Sequence, residues 1–95
     1  MNNKLTLWYE VGKRDEVKSE VKKNIQQRYG FSDGEFVSIV AGFKFLFDDE
    51  TGGEISIAFI EEKDALRVTV EGTWSWEVIE VYNYCLPQSA EHDPA

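Results

Sequence analysis

Residues 66–78 read LRVTVEGTWSWEV, and their alternation decides the fold class. Leu66, Val68, Val70, Gly72, Trp74, Trp76 and Val78 take the even positions, and Arg67, Thr69, Glu71, Thr73, Ser75 and Glu77 take the odd ones. A period of two with one apolar and one polar face predicts a half-buried β-strand. Upstream, residues 54–61 place Ile55, Ile57 and Phe59 on the odd positions. A one-residue slip exchanges the two faces of a strand. Opposed residues of these two strands must therefore sum to an odd number. Pairing Glu61 with Leu66 and Ile57 with Val70 satisfies that rule, with a tight turn between them. In this register the later strand overruns its neighbour. Trp74 and Trp76 then need another partner, either the N-terminal strand or a second chain.

Working outward, residues 5–11 (LTLWYEV) set Leu5, Leu7, Tyr9 and Val11 on one face and Thr6, Trp8 and Glu10 on the other. Residues 15–29 carry Val17, Val21, Ile25 and Tyr29 four apart, the narrow apolar stripe of a surface helix. Asp15 and Glu16 suit its first turn and Gly30 suits the position after its last. FSDGE (31–35) reads as a turn. Residues 36–47 (FVSIVAGFKFLF) read as one long strand with every odd position apolar, and the loop DDETGG follows. Residues 78–86 (VIEVYNYCL) break the alternation. Their Val, Ile and Tyr favour strand continuation through a bulge. A helical wheel offers the alternative, with Val78, Ile79, Val81, Tyr82, Cys85 and Leu86 on one arc.

The expected fold is α+β: an antiparallel sheet of four or more strands with one amphipathic helix on one face, in the order β-α-β-β-β, and an unassigned element at 78–86. The domain covers residues 1–87, and the polar stretch 88–95 is expected to be a disordered tail. The expected core is Leu5, Leu7, Val17, Val21, Ile25, Ile39, Phe43, Phe45, Ile55, Ile57, Phe59, Val68 and Val70.

Charge is uneven along the chain. Residues 1–30 hold seven basic and four acidic residues, a net of 7 − 4 = +3, whereas residues 31–95 hold three and fourteen, a net of 3 − 14 = −11. Most of such a surface repels nucleic acid, which needs clustered cations, and it attracts a basic protein. No basic leader precedes a long apolar stretch, and the apolar runs fall short of the ~18–20 residues of a membrane helix. A cytoplasmic protein is expected, with no membrane contact. The lone cysteine, Cys85, allows no internal disulfide and fits a reducing compartment.

Catalytic signatures are missing from the pattern. His92 is the sole histidine and sits in the expected tail, where no base is held in place. Cys85 has only apolar and aromatic neighbours in sequence and reads as a buried, inert thiol. Glu77 and Glu80 could form a carboxylate pair but read as surface charge. Arg14, Lys18 and Lys22 form a basic row that reads as a solvated helix face. Neither cofactor nor metal is expected, and the protein is read as non-enzymatic.

A binding role is the first expectation. Trp8, Phe36, Val40, Leu46 and Ile60 fall on the second sheet face, which a single helix cannot cover. An exposed apolar patch of this kind marks an interface, unless residues 78–86 fold over it. Asp48, Asp49, Glu50 and Glu54 crowd one loop beside it. Together these predict docking on a basic protein partner, in the manner of small acidic inhibitors, immunity proteins or nucleic-acid mimics. The alternative is a homodimeric assembly protein joined through the overrunning strand at 73–78, with Trp74 and Trp76, and the apolar second face.

Overall fold

The Glu61–Leu66 pairing holds, and the sheet builds outward from it. In the computed structural model, which describes residues 3–48 and 50–85, the elements are β1 (Asn3–Glu10), α1 (Arg14–Tyr29), a 3-10 turn (Asp33–Glu35), β2 (Val37–Ile39), β3 (Gly42–Asp48), β4 (Gly53–Glu61), β5 (Ala65–Gly72) and α2 (Ser75–Cys85). The five strands form one antiparallel sheet in the order β1-β5-β4-β3-β2. Ile57 faces Val70 in the register derived from parity. The expected tail 88–95, with His92, and the loop residue Asp49 lie outside the described residues.

Both helices lie on the same side of the sheet. The side chains of Leu7, Phe43, Phe45, Ile55, Ile57, Phe59, Leu66, Val68 and Val70 meet Val17, Val21 and Ile25 of α1 and Val78, Val81 and Cys85 of α2 in one buried cluster. Leu5 packs at its margin, only partly buried. α1 ends where Gly30 adopts a left-handed φ of 71° and its N–H donates to the Gln26 carbonyl, a conformation that costs glycine little.

Three sequence expectations are corrected. The strand over 66–78 stops at Gly72, and the chain turns into α2. In the β4–β5 register Gly53, the first residue of β4, would face Trp74, so a strand running past Trp74 would find no further β4 backbone to pair with, whereas a helix satisfies its own N–H and C=O groups. The Trp74 carbonyl accepts from the Glu77 and Val78 N–H groups and opens the helix. Val78, Val81 and Cys85 then form the buried stripe. Trp74 and Trp76 are left 45% and 51% exposed, outside the core and in no strand.

The long strand over 36–47 is a hairpin instead, turning at Val40–Ala41 so that Ile39 faces Gly42. These facing residues sum to an odd number, so the turn exchanges the faces. Ile39 and Val37 pass to the side away from the helices. Phe36 turns inward, with its ring centroid 5.2 Å from that of Phe43 and 5.4 Å from that of Phe45. Ile39 therefore leaves the expected core, and Phe36 leaves the expected binding face.

Finally, Glu77 is fully buried rather than at the surface. Residues 78–85 do not cover the second sheet face, because they pack with α1 on the first.

Candidate functional site

The register lays out the uncovered face in three main rows, with Leu46 opposite Glu54 beyond them. Trp8, Arg67 and Ile60 form one row across β1, β5 and β4. Thr6, Thr69, Ala58, Gly42 and Ile39 cross all five strands in the next. Lys4, Glu71, Ser56, Lys44 and Val37 form the third. Four gaps at the usual strand spacing make this face about 19 Å wide. Its middle row is low, built of glycine, alanine and threonine. Gly42 admits no side chain, since a Cβ there would lie 1.9 Å from the Ile57 carbonyl oxygen.

Large apolar side chains stand around that low centre. Trp8 is 58% exposed on the β1 edge, and Val40 is fully exposed at the β2–β3 turn. Val37 and Leu46 are also exposed, and Ile60 and Ile39 are half-buried. Of the residues expected here, the structure brings Trp8, Leu46 and Ile60 onto this face and Val40 to its rim, and it removes Phe36.

Acids gather at both ends of the sheet. Glu61, Glu62 and Asp64 lie at the β4–β5 turn. Arg67 donates to Glu62 at 2.7 Å, and the Gly12 N–H donates to Glu61. Asp48, Glu50 and Glu54 lie at the opposite end. There Asp48 accepts the Glu50 N–H at 2.8 Å, and Lys44 stands 3.9 Å from Glu54. These contacts shape the loop from within. Among the described residues, no three His, Cys, Asp or Glu side chains converge to hold a metal ion.

Behind this acidic loop sits Glu77. The Thr51 hydroxyl donates to its Oε2 at 3.0 Å, and its Oε1 is buried with no partner among the described residues. The carboxyl rests against Gly53, where a Cβ would lie 2.0 Å from Oε1. Loss of solvent raises its pKa above the ordinary carboxylate value, Asp48 and Glu80 add to that rise, and the Thr51 hydrogen bond opposes it. Glu77 thus ties the start of α2 to the β3–β4 loop. Its signal in the sequence was the second glycine of Gly52-Gly53. Only Gly52 has a positive φ, at 70°; Gly53 is small because Glu77 fills the space beside it.

The remaining candidates have structural contacts. Glu80 accepts a 2.6 Å hydrogen bond from Tyr29, whose pKa is raised first by burial and then by that carboxylate. The Cys85 thiol is buried, and desolvation pushes its pKa up to about 12. Its carbonyl accepts from the Tyr9 hydroxyl, whose pKa burial also raises. In the basic row, Arg14 donates to the Phe59 carbonyl, and Lys22 stands over the Phe36 ring and 3.7 Å from Asp33.

No protein-family model, curated protein or solved structure matches the chain. The geometry of the uncovered face and its acidic ends is the basis for a functional reading. No helix among the described residues is long and apolar enough to cross a membrane.

Proposed function

We propose that this is a small non-enzymatic binding domain of the cytoplasm that docks a protein partner on its uncovered sheet face. The observation that carries the reading is the placement of both helices on one side, which leaves Trp8 and its row open on the other. Exposed aromatic and aliphatic side chains around a low centre suit a complementary protein surface, and buried aromatics commonly dominate binding energy. The acids at both ends of the sheet favour a basic partner, because flanking charge of opposite sign speeds encounter and sets orientation. An inhibitor or immunity-type protein would work in this way.

Affinity capture with the wild-type protein and a Trp8→Asp variant tests the reading. A partner held by the wild type, lost by the variant and released by salt supports it. Binding that survives both Trp8→Asp and about 1 M salt, where the screening length falls to about 3 Å, contradicts it.

A further inference from the structure

The two edges of the sheet differ. β2 has three residues, too few to template another strand, whereas β1 has eight and keeps an unbroken register with β5. A long edge without proline or bulge presents a row of N–H and C=O groups ready to pair. Its pattern, Asn-Lys-Leu-Thr-Leu-Trp-Tyr-Glu, is complementary to itself.

Parity restricts how a second copy can add. The odd residues of β1 point to the helix side. A continuous sheet with helices on one side needs odd residues opposite odd residues, so facing positions must sum to an even number. A sum of 14 puts Leu7 opposite Leu7 on the two-fold axis. It sets Leu5 against Tyr9, Thr6 against Trp8, and Lys4 against Glu10. The neighbouring even sums lose the charge match. A sum of 12 puts Lys4 against Trp8, and a sum of 16 puts it against Gly12. Lys4 and Glu10 are the only charged residues of β1, both are exposed, and neither forms an ion pair among the described residues. Lysine on an edge usually discourages pairing; in this one register it meets a carboxylate.

We propose that two copies of the chain dimerise by antiparallel pairing of their β1 edges, centred on Leu7 and fixed by two symmetric Lys4–Glu10 ion pairs. The interface is isologous, as closed two-fold dimers require. It forms a ten-stranded sheet with all four helices on one side, and it joins the two uncovered faces into one. The dimer contact is the β1 edge and the face stays open, with Trp8 bordering both because this register sets it opposite Thr6. The Lys4 and Glu10 swaps leave Trp8 unchanged and so separate this inference from the partner-binding reading.

Sedimentation equilibrium of the full chain tests it. The apparent mass should rise with concentration toward twice the 10.9 kDa of one chain. Lys4→Glu or Glu10→Lys alone turns two attractive cross-strand pairs into repulsive ones and should weaken dimerisation about tenfold. The double swap, Lys4→Glu with Glu10→Lys, should return it to within about twofold of wild type. If circular dichroism shows that a single variant has lost its fold, the double swap and a salt titration of the wild type decide. A chain that stays monomeric at about 1 mM overturns the proposal. So does a dimer indifferent to salt and to the swaps, or one that the double swap fails to restore.

Discussion

The two faces of the sheet share every strand and differ in almost everything else. On β5, Leu66, Val68 and Val70 are completely buried, while Arg67 and Glu71 on the same strand stay partly in water. Burying a side chain of that kind contributes about 1.5–3 kcal/mol. The helix side therefore supplies the stability, and the other side is free to vary in composition. What it carries instead is an exposed tryptophan, a floor of small residues and balanced charge.

The contrast breaks most severely on the helix side. Phe45→Ala should cost about 3–5 kcal/mol in urea denaturation, since Phe45 is buried among Phe31, Phe36 and the strand core. A cost under about 1 kcal/mol would mean that this face is not the core.

Gly53→Ala should cost about 1–3 kcal/mol, because the new methyl must displace the Glu77 carboxyl. In a Glu77→Ala background most of that cost should vanish, and a double-mutant cycle reads the difference. Equal costs in the two backgrounds would mean that the two residues do not touch.

The Glu77 carboxyl also makes a pH prediction. Its folded pKa is raised, so the native state binds the proton more tightly than the unfolded chain does. Stability from this group is then fully present below the ordinary carboxylate pKa and is lost as pH rises through the raised value. Relative to wild type, Glu77→Gln should gain stability as pH is raised through that window. A difference that does not change with pH would place Glu77 in solvent.

The smallest stability effect is expected on the uncovered face. Trp8→Ala should change stability by about 1 kcal/mol or less while abolishing partner capture. A loss of several kcal/mol would mean that Trp8 belongs to a core.

How far the sequence could be read depended on whether each signal was local. Parity together with a tight turn determined the β4–β5 register, because one buried face forbids a one-residue slip. Four-residue spacing located α1. The turn at Val40–Ala41 was hidden because neither residue is a usual turn former, and parity continued through it on apolar residues. α2 was hidden because Trp74, Trp76 and Val78 prolong the alternation of β5. The decisive fact, that β4 has nothing to offer beyond its own start, lies in another strand. The overrun in the parity register already marked that point. Glu77 was missed because burial of an acid in a helix's first turn depends on a loop more than twenty residues away. The uncovered face was legible at Trp8, Leu46 and Ile60, and Phe36 was misplaced with the hidden turn.

Thiol labelling tests the two-faced architecture most directly. In native wild-type protein at low concentration, the buried Cys85 should resist a thiol reagent, held back by enclosure and by a pKa of about 12. In a Trp8→Cys variant one thiol, the new one, should react at nearly the rate of an unfolded chain. A Trp8→Cys thiol as protected as Cys85, or a Cys85 as reactive as the unfolded chain, would contradict the account.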